Sequence, residues 1–135
     1  MTNITSGCLV AAAVIIIDEH NRVLLGLREK ENLWASFGGR IESMEHADQG
    51  AIREIAEEIG VKLSYVTPLS FGQGTTRDGT PYVTLYFLSK LPFGEVPVIK
   101  EPLLTQDLQW FSLDHLPANM WPRERQAILD VLVRR

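Results

Sequence analysis

The segment GGRIESMEHADQGAIREIAEEIGV, at residues 38–61, constrains the fold more than any other part of the chain. It holds six of the seventeen acidic residues. Two glycines open it, Gly60 stands near its end, and apolar and acidic residues between them recur every three or four positions. Because glycine favours turns and this spacing is helical, the segment predicts a glycine turn followed by an amphipathic helix that ends at Gly60.

The predicted helix has two chemically different faces. Residues three and four positions apart share a face, so Glu54, Glu57 and Glu58 project from one stripe. The opposite stripe is apolar: Ile52, Ile55, Ala56 and Ile59. Small residues fall on the acidic side: Ala47, Gly50 and Ala51. One face therefore packs into a core, while the other leaves room for a ligand.

Three glutamates on one helical turn repel one another, and a hard divalent cation such as Mg²⁺ would remove that repulsion. Arg53 lies beside Glu57 on the helix and can hold a carboxylate with both arms of its guanidinium. Gly39 can turn its backbone carbonyl towards the same ion. On these residues alone, an ordinary amphipathic helix with a solvated, glutamate-rich face remains an alternative.

The chain's length and charge limit the classes of function. A chain of 135 residues predicts one domain, residues 1–135. A net charge of −4 and a pI near 5.3 argue against a basic stripe that binds nucleic acid polymers. A free nucleotide could still bind, because a bound cation could neutralise its phosphates. The single cysteine, Cys8, cannot form an internal disulfide and suits a reducing cytoplasm.

The first third of the chain predicts a strand hairpin before the glycine turn. Residues 9–17 are all apolar, too few to span a membrane, and predict a strand buried on both faces. Residues 22–27 predict its antiparallel partner. Arg28 follows that strand, where it could bind a phosphate or simply be solvated. We expect Ser43 to be the N-cap of the acidic helix.

The second half predicts more strands and a final helix. Two strands within residues 62–73 and 81–91 flank an Asp78–Gly79 hairpin turn. Tyr82, with Phe71, is a candidate for stacking on a nucleobase, although strand aromatics more often belong to the core. Residues 92–105 predict a loop carrying Glu101, residues 108–112 a last strand, and residues 120–135 an amphipathic helix.

The acidic segment matches a known sequence pattern. Gly39 is followed after five residues by Glu45, then after seven more by Arg-Glu-Ile-x-Glu-Glu-x-Gly-Val, residues 53–61. This pattern is the Nudix box, and the chain resembles the Nudix hydrolase superfamily, in its compact MutT-like branch. The resemblance implies an α/β (α+β) fold in which a mixed β-sheet lies between helices.

The resemblance also implies roles for the residues of the box. Glu57 and Glu58 would be metal ligands, Glu54 a ligand or the general base, and Arg53 the residue that orients the glutamates. Gly39 would supply a carbonyl ligand, and Glu42 and Glu45 would assist. In several branches a downstream glutamate contributes, for which Glu101 is the candidate and a solvated loop carboxylate the alternative. The implied cofactor is Mg²⁺, with Mn²⁺ as a substitute.

One residue departs from the usual family sequence. Nudix proteins commonly carry a proline directly before the two glycines, and this chain has Phe37. We expect Phe37 to affect the shape of the loop or the wall of the substrate site. Arg28, Phe37 and Tyr82 are therefore the predicted substrate-binding residues.

The implied activity is hydrolysis of a nucleoside or deoxynucleoside triphosphate to the monophosphate and pyrophosphate. Two alternatives remain: a hydrolase of ADP-ribose or a nucleotide sugar, and a non-catalytic nucleotide-sensing module. The expected partner is a nucleotide, without a membrane or a nucleic acid polymer, and family precedent is compatible with a homodimer.

Overall fold

The computed structural model describes residues 7–134. Its elements follow the chain as β1 (Leu9–Ile17), β2 (Arg22–Arg28), β3 (Trp34–Ala35), β4 (Phe37–Arg40), α1 (Ala47–Ile59), β5 (Thr67–Thr75), β6 (Pro81–Lys90), β7 (Thr105–Ser112) and α2 (Pro122–Arg134). The predicted Arg135 end of the last helix lies outside the described residues. No helix in this part of the chain is long and apolar enough to cross a membrane.

The strands form one seven-stranded mixed sheet. Its main order is β3-β2-β1-β6-β5, with β4 pairing with β1 and β7 pairing with β2. The pair β1–β6 is parallel, and the other pairs are antiparallel. The predicted α/β (α+β) class, a mixed sheet with helices on both sides, is confirmed.

From Ala12 to its end, strand β1 is buried on both faces, as its unbroken apolar run predicts, whereas Val10 near its start is exposed. Alternate residues point to opposite sides of a strand. Ala13, Ile15 and Ile17 pack in one core cluster with Ile128 and Val131 of α2. Ala12, Val14 and Ile16 pack in a second cluster with Ala51, Ile55 and Ile59 of α1. The acidic helix thus buries Ile55 and Ile59 of its predicted apolar face. Ala51, which was predicted on the acidic side, is also in this core, while Ile52 and Ala56 are only partly buried.

The start of α1 differs from the prediction. Its N-cap is His46, with φ −74° and ψ 152°, and not Ser43. Met44 has a positive φ of 68°, which the first turn of a right-handed helix does not accommodate, so the chain is still turning there. Glu45 consequently lies before the helix, where its carboxylate accepts a hydrogen bond from the Glu42 amide at 2.9 Å.

Several predicted boundaries hold and others shift by a few residues. Gly60 ends α1 in the left-handed conformation, with φ 70°. The Asp78–Gly79 turn joins β5 to β6, and the Thr76 amide donates to the Thr80 carbonyl at 2.8 Å. Strand β5 begins at residue 67 and not 62, β7 begins at 105 and not 108, and α2 begins at Pro122 and not 120. Proline suits the first position of a helix because an N–H at that position would have no partner within the helix.

Candidate active site

Arg53 lies at the centre of the acidic cluster. Its guanidinium donates to both oxygens of Glu45, at 2.7 and 3.0 Å, and to one oxygen each of Glu54 and Glu57, at 3.1 Å. It also donates to the carbonyl of Arg40 at 3.2 Å. The residue held with both arms is therefore Glu45, whereas the sequence suggested Glu57. Arg53 links the turn before α1 to the glutamates on the helix.

These contacts change the charge balance of the cluster. The hydrogen bonds from Arg53, joined by the one from the Glu42 amide, lower the pKa of Glu45 to about 2. In return the hydrogen bonds from Glu45 raise the pKa of Arg53 further above its ordinary value. Both groups therefore stay charged throughout the neutral pH range, and the ion pair between Glu45 and Arg53 is kept.

Glu58 is half-buried, with its carboxylate against the glycine turn. Its Oε1 accepts a hydrogen bond from the Gly38 amide at 2.9 Å. Burial, and then the charge of Glu54, raise the pKa of Glu58 to about 8, although the nearby charge of Arg28 opposes this. The carboxylate of Glu58 therefore lies close to the negative charge of Glu54 and is partly shielded from water.

Glu54 faces the other glycine of the turn. A Cβ added at Gly39 would lie 2.6 to 2.7 Å from the three carboxylate atoms of Glu54, so any side chain at this position would displace that carboxylate. Burial raises the pKa of Glu54, Arg53 opposes the change, and the charges of Glu57 and Glu101 add to it. The charge of Glu101 also raises the pKa of Glu58. The loop between β6 and β7 therefore brings Glu101 near the glutamates of α1.

The donor set suits a divalent cation after a local rearrangement. Within residues 7–134, no three His, Cys, Asp or Glu side chains converge closely enough to hold an ion as they stand. In this structure Arg53 donates a hydrogen bond to one oxygen of Glu54 and to one oxygen of Glu57. Carboxylates whose pKa values are raised by burial and by one another gain from a bound cation, and oxygen ligands suit Mg²⁺ or Mn²⁺. Glu54, Glu57 and Glu58 are the residues that would hold it.

A cleft extends from the glycine turn to the start of α2. Its volume is about 230 Å³. Its lining includes Arg28, Gly38 and Gly39 together with Thr84 and Trp121. Three small residues of β1 also line it: Ala11, Ala12 and Ala13. The glycines connect the cleft to the glutamates, because the Gly38 amide donates to Glu58 and Gly39 lies against the carboxylate of Glu54.

A larger hollow, of about 600 Å³, lies at the ends of β1 and β6, where Ile17 and Lys90 are paired. None of the predicted site residues lines it. The smaller cleft beside the glutamates is therefore the candidate active site, although it is the lesser of the two in volume.

The predicted substrate-binding residues have different positions. Arg28 lines the cleft and its charge acts on Glu58. Phe37 does not form a substrate wall: its side chain is 1% exposed and belongs to the core beneath α1. Strand alternation explains the difference, because Phe37 points to the α1 side of β4. Tyr82 lines a separate hollow and lies beneath the guanidinium of Arg123, while Phe71 is 65% exposed on β5.

Glu124 is a cleft residue that the sequence did not reveal. One of its oxygens accepts hydrogen bonds from the Ser36 amide at 2.7 Å and the Ser36 hydroxyl at 2.6 Å, and the other accepts from the Tyr86 hydroxyl at 2.8 Å. These bonds tie the first turn of α2 to the strands beside the glycine turn. Ser36, Thr84 and Trp121 were missed as well. Trp121 and Pro122 mark a helix start in the sequence, but no local pattern predicts that this start lies beside Ser36, more than eighty residues earlier.

Replacing Gly39 by alanine is expected to lower kcat by about 10- to 100-fold, the usual effect of disturbing residues that orient metal ligands. The added methyl would force the Glu54 carboxylate to move, and a flexible side chain can do so without unfolding the protein. The matched control is Gly7→Ala, because nothing lies within 4 Å of a Cβ at that position. Steady-state kinetics with thermal unfolding tests this. An unchanged kcat would mean that the position of Glu54 does not matter.

Comparison with known proteins identifies the family. The NUDIX domain model matches residues 9–131. A Bacillus subtilis (strain 168) protein named "Putative 8-oxo-dGTP diphosphatase" is 29% identical over 119 residues, covering 88% of this chain and 76% of that protein. The oxidized purine nucleoside triphosphate hydrolase of Mus musculus is 26% identical, covering 81% of this chain and 70% of that protein.

A solved structure agrees with the sequence comparisons. The MutT NUDIX hydrolase from Burkholderia pseudomallei superposes with a TM-score of 0.84 and 28% identity, covering 93% of this chain and 98% of that one. Nudix hydrolases generally use divalent metal cations. With a box that is complete at every specified position, the chain belongs to the NUDIX domain family and is a hydrolase acting on phosphoric anhydride bonds.

Proposed function

We propose that this Nudix nucleotide pyrophosphohydrolase depends on Mg²⁺ and cleaves a nucleoside or deoxynucleoside triphosphate to the monophosphate and pyrophosphate. The observation that carries the proposal is the cleft between the box and α2. It is lined both by Arg28 and the two glycines, which could bind phosphate, and by Trp121, on which a flat base could stack. A nucleotide is a ligand that uses both kinds of contact.

The charged residues around the glycine turn have different roles in hydrolysis. Glu54, Glu57 and Glu58 would hold the cation, which would supply positive charge for the phosphates and make a water molecule more acidic. Arg28, which lines the cleft, binds phosphate oxygens. Arg53 keeps the glutamates oriented from the turn that carries Glu45. Glu54 and Glu58 are partly buried, which reduces the screening of their charges by water.

Hydrolysis needs one proton acceptor and no covalent enzyme intermediate. A carboxylate takes a proton from water as the water oxygen bonds to phosphorus and the bridging P–O bond on the far side breaks. Pyrophosphate and the monophosphate are then the two products. Glu54 is the first candidate for the acceptor, and Glu101 is the second because its charge reaches the same glutamates.

The relatives favour triphosphates over the alternatives. The mouse relative is named for hydrolysis of oxidized purine nucleoside triphosphates, and the Bacillus subtilis relative for 8-oxo-dGTP. The complete box favours an enzyme over a nucleotide sensor. A hydrolase of ADP-ribose or nucleotide sugars would use the same carboxylates, so the choice depends on the substrate.

A substrate panel separates these alternatives. With Mg²⁺, we expect pyrophosphate from at least one ribo- or deoxynucleoside triphosphate, with a higher kcat/KM than for ADP-ribose or UDP-glucose. Pyrophosphate and monophosphate should be measured directly by ion-exchange chromatography. Turnover of ADP-ribose or the nucleotide sugar with no pyrophosphate from any triphosphate would reject the proposal. Tight nucleotide binding with no turnover of any compound would favour the sensor.

A further inference from the structure

A segment of the loop between β6 and β7 lies across the C-terminal end of α1. The last carbonyls of a helix have no partner within the helix. Here the Val98 amide donates to the Ile59 carbonyl and the Lys100 amide donates to the Glu58 carbonyl, both at 3.0 Å. The loop therefore supplies hydrogen bonds that α1, which carries the glutamates of the box, lacks at its end. We call this segment, residues 95–101, the strap.

One side chain ties the strap to the chain beyond α1. Glu95 Oε1 accepts a hydrogen bond from the Lys62 amide at 2.7 Å. As the strap runs from residue 95 to residue 100, its partners run back from residue 62 to residue 58, so the two segments are antiparallel. Among the described residues, this is the one hydrogen bond that a side chain of the strap makes. The strap therefore has two backbone contacts with α1 and one side-chain anchor.

The far end of the strap is fixed as well. The Glu101 carbonyl accepts hydrogen bonds from the amides of Leu104 and Thr105, both at 3.0 Å. Thr105 is buried at the start of β7 and pairs with Arg28 of β2. The Leu104 carbonyl in turn accepts from the Glu29 amide at 2.9 Å. Glu101 is thus placed between the end of α1 and the end of β2 that carries Arg28.

The Glu101 carboxylate is free although its backbone is held. It forms no hydrogen bond or ion pair with another described residue. Burial is the main cause of the raised pKa of Glu54 and of Glu58, and the negative charge of Glu101 adds to both. Holding a carboxylate near two others is unfavourable, so the contacts that fix the strap must supply the free energy. The position of Glu101 therefore depends on the strap and not on contacts of its own side chain.

We propose that Glu95 is a positioning residue for catalysis: its bond to the Lys62 amide holds the strap on α1 and so places the Glu101 carboxylate beside the glutamates of the box. This inference rests on the proposed function, in which Glu101 is a candidate for the proton acceptor. Glu95 does not line the cleft, so it acts through Glu101 and not on the substrate.

Two substitutions of Glu95 separate the hydrogen bond from the rest of the side chain. Glu95→Ala removes the acceptor, whereas Glu95→Gln keeps an oxygen that can accept the same bond. With Mg²⁺ and the nucleotide that the wild-type protein cleaves best, kcat should fall about 10-fold in Glu95→Ala, with KM little changed, because the loss affects a group that acts in the transition state. Glu95→Gln should restore kcat to near the wild-type value.

A double-mutant cycle with Glu101→Gln separates positioning from a general loosening of the fold. If Glu95 acts through Glu101, its removal adds nothing once the Glu101 carboxylate is gone. The kcat of Glu95→Ala/Glu101→Gln should therefore equal that of Glu101→Gln alone. Multiplied losses in the double variant would overturn the proposal, and so would a wild-type kcat in Glu101→Gln or in folded Glu95→Ala.

Amide hydrogen exchange, followed by NMR without metal or nucleotide, tests the strap independently of turnover. The amides of Val98 and Lys100 should exchange at least about 10-fold faster in Glu95→Ala than in the wild type, and at wild-type rates in Glu95→Gln. Asp78→Ala is the matched control, because the Asp78 carboxylate accepts the Thr80 amide at 3.2 Å in the β5–β6 turn. It should change neither the exchange of the strap nor kcat. Unchanged exchange in Glu95→Ala would overturn the proposal.

Failure of this inference is distinct from failure of the proposed function. The cycle needs only a nucleotide that the wild-type protein cleaves. Turnover of ADP-ribose in place of a triphosphate would therefore reject the proposed substrate and leave the cycle to decide the role of Glu95. If Glu95→Ala does not fold, Glu95→Asp takes its place in both experiments with the same expected losses, because a side chain shorter by one carbon keeps the charge but loses the bond to the Lys62 amide.

Discussion

Replacing Glu58 by glutamine is expected to lower kcat by at least about 100-fold, because losing a charged ligand removes several kcal/mol of transition-state stabilisation. The substitution is nearly isosteric. The amide oxygen of glutamine can still accept the hydrogen bond from Gly38, so the glycine turn should keep its conformation. What disappears is the negative charge that is proposed to bind the cation. Steady-state kinetics over a range of Mg²⁺ concentrations should show the loss, and thermal unfolding should show an intact fold.

The control for this variant is Glu19→Gln, in the turn between β1 and β2, where the side chain is 88% exposed. It removes the same charge from the surface and should leave kcat unchanged. Glu57→Gln should resemble Glu58→Gln, since both residues are proposed to hold the ion. A folded Glu58→Gln protein with wild-type kcat would remove Glu58 from the proposed site.

Ile55→Ala is expected to destabilise the protein by about 2–5 kcal/mol, the usual cost of truncating a fully buried aliphatic side chain. Ile55 is 0% exposed and packs with Val14, Ile16 and Phe37 beneath α1. It lies next to Glu54 in sequence but on the opposite side of the helix. The loss should therefore appear in chemical denaturation as a lower midpoint, with kcat little changed at temperatures where the variant is folded.

Val133→Ala on α2 provides the comparison, because that side chain is 84% exposed. It should change the free energy of unfolding by no more than about 0.5 kcal/mol. Equal effects of the two substitutions would contradict the assignment of separate packing and chemical faces to α1. A large drop in kcat for folded Ile55→Ala would show instead that the position of the glutamates is sensitive to small shifts of the helix.

The parts of the fold that depend on local sequence could be predicted. Strand β1 was predicted at its observed bounds because nine consecutive apolar residues have no alternative but burial. Gly60 and the Asp78–Gly79 turn were predicted because their backbone conformations favour glycine and asparagine or aspartate. Helical spacing gave Ile55 and Ile59 of the buried face of α1 but placed Ala51, which is also buried, on the acidic side.

The parts that depend on long-range contacts could not be predicted. Glu124 meets Ser36 across 88 residues, and no local pattern connects them. Phe37 was assigned to the substrate wall because it precedes the glycine turn, but the pairing of β4 with β1 directs its side chain into the core. Arg53 was expected beside Glu57, and it does donate one hydrogen bond to that residue. Its stronger partner is Glu45, since the turn at Met44 places Glu45 before the helix.

The central claim is that the carboxylates of the box and the adjoining cleft together hydrolyse a nucleoside triphosphate to two defined products. Phosphorus-31 NMR of the wild-type protein with dGTP tests it most directly, with Mg²⁺ present and then removed by EDTA. Monophosphate and pyrophosphate signals should grow together in equal amounts only when Mg²⁺ is present, and they should be absent for Glu58→Gln. Formation of the diphosphate with orthophosphate, or equal turnover with EDTA, would contradict the account.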